Sequence, residues 1–178
     1  HDAILEIVSQ LIGPSIRTNG NKLNLKYGGF GSPVEWHQDW SFYPHTNDDL
    51  LAVGIALDDM SEANGTVNLL PFSRSGIRTW VQHIRDEESG DKIGYFGSDP
   101  GIPIIAPAGS IAVFSSYNFH SSGTNTTDKM RRVYLAQYSC EPMTSADSSK
   151  LWGNAEPFLL AGESAVCQAP PEPPFVAS

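Results

Sequence analysis

The chain of 178 residues carries a formal net charge of −9, with 40% hydrophobic and 17% charged residues. This length suits a single domain, and the hydrophobic content supports a packed core rather than a disordered chain. The sequence has neither a basic stripe nor a long apolar run, which argues against a nucleic-acid or membrane partner. With no apparent signal peptide, we expect a cytoplasmic protein.

One helix is predicted, at the beginning of the chain. Apolar residues recur at helical spacing through Ala3–Ile12. Asp2 is a suitable N-cap and Gly13 a suitable C-terminal stop. The sequence therefore predicts a short N-terminal helix that ends at Gly13.

Beyond this helix the apolar period changes to two, which is typical of short strands. Turn residues separate the strands, and Asn64-Gly65 is the strongest tight-turn signal among them. The predicted strands are 23–27, 34–39, 51–57, 66–70, 102–105, 110–115, 117–121 and 133–139. Many short strands with turn punctuation indicate a mainly β chain, folded as a jelly roll or a barrel-like sandwich.

Two stretches lack clear periodicity. Residues 74–101 form the internal stretch without periodicity. An irregular stretch of this length in a compact domain is typical of a lid or binding loop. The tail, residues 141–178, is rich in proline near its end and is predicted to run as an extended segment. We therefore predict one domain, 1–178, rather than two.

A candidate metal site begins with His37-Gln38-Asp39 on the second predicted strand. Residues two apart on a strand point to the same face, so this strand can present an imidazole beside a carboxylate. A histidine from a distant strand would complete a 2-His-1-carboxylate triad, which leaves three positions open on iron(II). Taken alone, the motif is more simply explained by a surface histidine beside a turn aspartate.

His120 and the residues after it favour the metal site. His120 precedes a turn of small residues, and Arg131 follows eleven positions later on the next predicted strand. From there the guanidinium can pair with a carboxylate about one small molecule away from the metal, and Ser122 can add a hydroxyl. Taken singly, Arg131 is equally well explained as a surface cation, and Ser122 as a turn-forming residue. Because adjacent strand residues face opposite ways, only one of Arg131 and Arg132 should be essential.

These residues carry a resemblance to a known family. The matching stretches are Trp36-His37-Gln38-Asp39-Trp40, Pro44-His45-Thr46-Asn47-Asp48, Leu57-Asp58-Asp59-Met60, Glu62-Ala63-Asn64-Gly65, Leu70-Pro71-Phe72-Ser73, Ala108-Gly109-Ser110, His120-Ser121-Ser122-Gly123 and Arg131-Arg132. In order and spacing they resemble the phytanoyl-CoA dioxygenase family of iron(II)- and 2-oxoglutarate-dependent oxygenases. The resemblance covers residues 22–139.

The resemblance implies a double-stranded β-helix with Fe(II) bound by His37, Asp39 and His120. It implies that Arg131, assisted by Ser122, binds the co-substrate 2-oxoglutarate. With O2, such an enzyme hydroxylates or desaturates a small molecule and releases succinate and CO2. The family spacing from His120 favours Arg131 over Arg132, and the presence of the Asp39 carboxylate favours hydroxylation or desaturation over halogenation.

Further residues are weaker candidates for binding the substrate. Trp40 and Tyr43 follow the metal strand and could form an apolar pocket wall, although core and rim aromatics are as common. Asn24 and Lys26 share one face of the preceding strand and could reach a carboxylate, although exposed polar strand residues are commoner. His45 is interpreted as a loop residue near the site, and His83 is assigned no role.

Two other classes of protein remain open from the sequence. A cupin-like metal-binding jelly roll, acting as an isomerase or a binding protein, would hold zinc or manganese with the same residues and would not need Arg131. A non-catalytic relative would serve as a scaffold or sensor. The intact triad and arginine argue against the non-catalytic relative.

Overall fold

The computed structural model of the protein describes residues 1–47, 49–147 and 159–161. These residues are predominantly β-structured, with two helices and one short 3-10 helix, Asp39–Ser41. The helices and strands in chain order are α1 (Asp2–Ile12), β1 (Ile16–Lys26), β2 (Val34–His37), β3 (Leu51–Ala56), β4 (Val67–Leu70), α2 (Phe72–Ser75), β5 (Ile84–Arg85), β6 (Lys92–Ile93), β7 (Ile102–Pro103), β8 (Ile111–Ser115), β9 (Phe119–Ser122), β10 (Arg131–Ser139) and β11 (Leu159–Ala161).

Helix α1 confirms the predicted helix and its stop. Gly13 follows it with a φ of 93°, and its N–H bonds to the carbonyl of Ser9. The predicted N-cap is wrong, because the helix begins one residue earlier and His1 occupies the cap position. Asp2 instead lies in the first turn, where a carboxylate interacts favourably with the helix dipole. In the described part of the chain, no helix combines the length and the apolar character needed to cross a bilayer.

The strands form two larger antiparallel sheets and a hairpin. The first sheet has the order β11-β1-β10-β3-β8, the second β2-β9-β4-β7, and β5 pairs with β6. Strands that are neighbours in these sheets are mostly not neighbours in sequence, as in jelly-roll topologies. The predicted mainly β jelly-roll class is therefore confirmed.

The described core lies between strands of both larger sheets. Each of two small clusters combines buried residues of β3 and β10 with a side chain from β4. They comprise Ala52, Phe114 and Leu135 with Leu69, and Ala56, Met60 and Val133 with Val67. Burying each of the larger aliphatic side chains stabilises the fold by about 1.5–3 kcal/mol.

The described residues fall into two compact units. One comprises His1–Gly20, His45–Leu51 and the described part of Gln137–Ser178, and the other comprises Asn21–Pro44 and Ala52–Ala136. The candidate site residues lie in the second unit. The predicted single-domain organisation stays a prediction.

All eight predicted strands overlap observed ones, and β1 differs most from its prediction. It begins at Ile16 rather than at residue 23, because Ile16 and Arg17 pair with Ala161 and Leu159 of β11. The sequence of this first half is polar and non-alternating, so no local pattern indicates a strand. Beyond 141–147 and β11, the predicted tail, with its proline-rich end, lies outside the described residues.

Residues 74–101 contain more structure than the sequence indicated. They include the end of α2 and the β5–β6 hairpin, in which Ile84 pairs with Ile93. The hairpin turn is held by the Asp86 carboxylate, which accepts the Ser89 N–H. The expected lid role of this segment stays a prediction.

Candidate metal centre

Two histidines face each other across adjacent antiparallel strands. The register of β2 and β9 places His37 directly opposite His120. Their ring centroids are 4.1 Å apart, and both side chains are largely buried. Strand pairing alone therefore brings together two residues that are 83 positions apart in the sequence.

Asp39 completes the cluster, but not from a strand. Strand β2 ends at His37, and Asp39 is the first residue of the 3-10 helix Asp39–Ser41. The prediction of a strand through residue 39 is wrong, because the N–H of Gln38 bonds to His83 instead of to a neighbouring strand. The chain then turns, and the N–H of Ser41 bonds to the Gln38 carbonyl.

The carboxylate of Asp39 is buried and only partly satisfied. Its residue is 1% exposed, and Oδ1 lies 3.6 Å from Nε2 of His120. Oδ2 has no hydrogen-bond partner among the described residues. One ligand atom from each of His37, Asp39 and His120 lies within 4.8 Å of the others, so the three can hold one metal ion.

Backbone contacts set the tautomers of both histidines. Nδ1 of His37 lies 2.7 Å from the Glu35 carbonyl, and Nδ1 of His120 lies 3.1 Å from the Asn118 carbonyl. In each ring Nδ1 therefore carries the proton, which leaves the Nε2 lone pair for a metal. Burial, followed by the neighbouring His120, holds the pKa of His37 well below its ordinary value, so its imidazole is neutral near pH 7.

Gln38, which lies between two cluster residues in sequence, is fully buried. Its amide nitrogen donates to the carbonyls of Thr79 and Tyr117, and its amide oxygen accepts the N–H of Val81. Its backbone N–H donates to Nε2 of His83 at 3.0 Å. Gln38 therefore ties segment 74–101 to the metal centre.

His83, to which the sequence assigns no role, is bonded at both of its ring nitrogens. Its Nδ1 lies 2.9 Å from the Val81 carbonyl, so Nδ1 donates and Nε2 is free to accept from Gln38. Burial lowers the pKa of His83, which favours this neutral form. No motif surrounds His83, and its contact with a residue 45 positions away leaves no local signal.

The cluster opens into a cavity of about 270 Å³. Mostly apolar side chains line it, together with His37, Asp39 and His120. Four of the other predicted residues also line it, namely Asn24, Lys26, Ser122 and Arg131. Trp40 and Tyr43 are not among the lining residues, and the Trp40 ring stacks on Trp80 with centroids 4.6 Å apart. His45 is not part of the metal cluster.

The two neighbouring arginines point in opposite directions, as strand alternation requires. Arg131 is 3% exposed and lines the cavity, whereas Arg132 is exposed and pairs with Asp58 at 2.7 Å. Arg131 donates from Nη2 to the Gly65 carbonyl at 2.6 Å, and its Nε has no partner among the described residues. Its guanidinium therefore keeps donor capacity for a ligand.

Lys26 is a second buried cation in the same cavity. Its Nζ donates to Ser122 Oγ at 2.8 Å and to the carbonyls of Ser32 and Gly123. Burial and the nearby Arg131 charge lower the pKa of Lys26 to about 8. Lys26, Ser122 and Arg131 thus place two cations and a hydroxyl together in the cavity wall.

A jelly roll with a buried cluster of two histidines and one carboxylate is the scaffold of a mononuclear non-haem metal centre. The family model of phytanoyl-CoA dioxygenase (PhyH) matches residues 1–133. The chain belongs to the phytanoyl-CoA dioxygenase family, which confirms the resemblance inferred from its motifs.

Curated relatives are similar over nearly the whole chain. A probable alpha-ketoglutarate-dependent hypophosphite dioxygenase from Stutzerimonas stutzeri is 33% identical over 93% of this chain and 59% of its own length. An L-proline trans-4-hydroxylase from Streptomyces griseoviridis is 28% identical over 91% of this chain and 67% of its own length. The chain therefore spans about three fifths to two thirds of the length of these relatives.

Solved structures support the same fold. A non-haem monooxygenase, ThoJ in its apo form, superimposes with a TM-score of 0.77 at 25% identity, over 91% of this chain and 59% of that one. The alpha-ketoglutarate-dependent carbocyclase SnoK from nogalamycin biosynthesis superimposes with a TM-score of 0.64 at 21% identity, over 80% of this chain and 56% of that one. The second likeness concerns the fold alone.

Proposed function

We propose that this chain is the catalytic core of an Fe(II)- and 2-oxoglutarate-dependent oxygenase that hydroxylates or desaturates a small-molecule metabolite. One observation carries the proposal. A single cavity is lined both by the cluster of His37, Asp39 and His120 and by two buried cations, Lys26 and Arg131, which suit a bound carboxylate. An oxygenase of this class needs both sites, whereas a simple metal-binding jelly roll needs only the first.

The cluster residues fit iron(II). Two neutral imidazoles and one carboxylate are the donor set of mononuclear iron oxygenases and leave positions open for other ligands. The carboxylate of Asp39 is buried and its Oδ2 lacks a hydrogen-bond partner among the described residues, which is costly without a cation nearby. When bound, iron(II) and 2-oxoglutarate supply the oxidising chemistry, in which O2 is consumed and succinate and CO2 are released.

The chain's own residues supply geometry and charge. His37 and His120 are pre-oriented by their Nδ1 contacts, so little reorganisation accompanies metal binding. Arg131 would hold the distal carboxylate of 2-oxoglutarate, with Ser122 as a further donor and the Lys26 ammonium as a nearby positive charge, and so fix the orientation of the co-substrate. The apolar part of the lining would limit the access of water to the reacting groups.

Three observations support a small substrate. The cavity of about 270 Å³ lies below the ~300 Å³ at which pockets begin to hold drug-sized ligands. The relatives named above act on hypophosphite and on L-proline, both small molecules with an anionic oxygen group. The net charge of −9 also disfavours nucleic acid as a partner.

The proposed location is the cytoplasm, a reducing compartment that keeps iron ferrous.

An anaerobic titration with iron(II) and then 2-oxoglutarate tests this function. We expect a visible charge-transfer band that needs both components, is absent in His120→Ala and is strongly weakened in Arg131→Ala. Arg132→Ala is the matched control, because Arg132 points away from the cavity. This variant should keep the charge-transfer band. Tight zinc or manganese binding without any such band would instead favour the cupin-like alternative.

A further inference from the structure

Strand β1 presents three polar side chains to the cavity. Lys22, Asn24 and Lys26 alternate along the strand and all line the cavity. Only Lys26 is buried, and its ammonium is already bonded to three neighbouring oxygens. Lys22 and Asn24 thus form a second polar group on the same strand face, separate from the Lys26–Ser122–Arg131 group.

Lys22 lines the same cavity as the cluster of His37, Asp39 and His120. Among the residues that the structure describes, no carboxylate forms an ion pair with Lys22. Lys22 is an exposed residue that lines the cavity, so its ammonium can donate to an anionic partner without breaking an existing ion pair.

The charges around the cavity favour a second anion. Three cations, Lys22, Lys26 and Arg131, line it against one carboxylate, Asp39. Iron(II) and the 2-oxoglutarate dianion cancel each other in charge, so their binding leaves this positive excess unchanged. The excess is notable in a chain with a net charge of −9, because a cleft lined by one sign of charge concentrates ligands of the opposite sign.

We propose that the substrate is a small anion, whose carboxylate or phosphorus oxyanion is bound by the ammonium of Lys22 with the amide of Asn24 as a further donor. This inference rests on the proposed function and specifies its substrate class. Lys22 holds the anionic end, while the remainder of the substrate extends toward the cluster of His37, Asp39 and His120. A neutral analogue of the same shape loses the charge-assisted hydrogen bond.

The test uses the anaerobic protein loaded with iron(II) and 2-oxoglutarate, and reads the shift of its charge-transfer band when a second ligand binds. The probes are small carboxylates and phosphorus oxyanions, including L-proline and hypophosphite, with the amine-free carboxylates paired with their neutral amides, such as cyclopentanecarboxylate with cyclopentanecarboxamide. We expect at least one anion to shift the band at concentrations at which the neutral amides do not. Carboxylates and phosphorus oxyanions are separate arms, so the result also identifies the acidic group.

Variants assign the effect to Lys22. Lys22→Gln should weaken binding of the active anion by about tenfold to a hundredfold, since a hydrogen bond to a charged group contributes roughly 1.5–3 kcal/mol. Lys22→Arg should largely retain binding, and the affinity for 2-oxoglutarate should be the same in both variants. Lys129→Gln is the matched control, because Lys129 is exposed and does not line the cavity.

Three results would overturn the inference: equal shifts by a neutral amide and its acid, an unchanged anion affinity in Lys22→Gln, or no shift with any anion while the 2-oxoglutarate band forms normally. Failure of the proposed function is distinguishable, because the band itself would then never form. In that case the proposed substrate class would be contradicted as well.

Discussion

The backbone N–H of Gln38 donates a hydrogen bond to Nε2 of His83 at 3.0 Å, although 45 residues separate the two. Gln38 lies between His37 and Asp39, so this bond ends strand β2 and directs the chain into the 3-10 helix that begins with Asp39. The geometry of the candidate metal cluster therefore depends on a residue of segment 74–101 that is not itself one of the candidate ligands.

Replacing His83 with alanine should weaken metal binding. The buried N–H of Gln38 would lose its acceptor, which costs about 1–3 kcal/mol in the free energy of unfolding. Because Asp39 follows directly, we also expect a larger dissociation constant for iron(II) or zinc, measured by anaerobic titration. Gln82→Ala, at an exposed neighbouring position, is the control. If His83→Ala lowered stability but left metal affinity unchanged, His83 would have only a structural role.

Replacing Asp39 with asparagine should separate metal binding from folding. The variant lacks a buried negative charge that has an oxygen without a hydrogen-bond partner among the described residues. Without metal, its free energy of unfolding should therefore be equal to that of the wild type or higher by up to about 1 kcal/mol. With iron(II) or zinc at a hundred times the wild-type dissociation constant, the wild type should gain about 2.7 kcal/mol and the variant almost nothing. Thermal unfolding with and without metal measures both effects.

Asp58→Asn is the matched control for this experiment. The Asp58 carboxylate pairs with exposed Arg132 and does not line the cavity. This variant should keep the full metal-induced stabilisation. A normal metal response in Asp39→Asn would contradict the assignment of Asp39 as a ligand.

Co-substrate affinity should depend on pH through Lys26. Its pKa of about 8 lies below the ordinary value of 10.5, so the ammonium of the free protein loses its proton as pH rises through about 8. A bound carboxylate favours the protonated form, so 2-oxoglutarate affinity should be constant below pH 8 and fall above it. Between these two pKa values the unfolded chain binds more protons, so this group's contribution to stability rises with pH over the same interval.

Lys26→Arg checks this assignment, because arginine stays protonated throughout the range. Isothermal titration of the zinc-loaded protein with 2-oxoglutarate, from pH 7 to 9.5, provides the affinities. We expect the decline above pH 8 in the wild type and a flat profile in the variant. The same decline in Lys26→Arg would show that another group titrates.

Gly65 allows a close backbone approach beside Arg131. Its φ is +72°, and a Cβ there would lie 2.3 Å from the Gly123 carbonyl oxygen. Gly65→Ala should therefore destabilise the fold by about 1–3 kcal/mol and displace the carbonyl that accepts from Arg131. Chemical denaturation measures the first effect and 2-oxoglutarate titration the second.

Gly109→Ala is the control for backbone strain alone. Gly109 has a φ of +88° but nothing within 4 Å of a Cβ position. We expect a smaller loss of stability than in Gly65→Ala and no change in co-substrate affinity. Equal losses in the two variants would mean that the approach to Gly123 is not important.

Much of this architecture was predictable because its signals are local. Apolar patterns bounded by turn residues indicated all eight predicted strands, and Asn64-Gly65 indicated a turn that the positive φ of Gly65 confirms. The spacing of His37, Asp39 and His120 indicated a metal site, and the structure brings the three together. Alternation along a strand likewise predicted that Arg131 and Arg132 face opposite ways.

Other features depended on contacts between distant residues. The first half of β1 is a strand because it pairs with β11, and Asp39 lies on a 3-10 helix because Gln38 bonds to His83. The buried Lys26 ammonium bonds to Ser32, Ser122 and Gly123, and its pKa is lowered by burial and by the charge of Arg131. The sequence by itself determined the periodic elements, the family and the candidate ligands, since these follow from local spacing. Only the tertiary structure decided the second cation and the His83 contact, because hydrogen bonds between distant residues leave no periodic pattern in the chain.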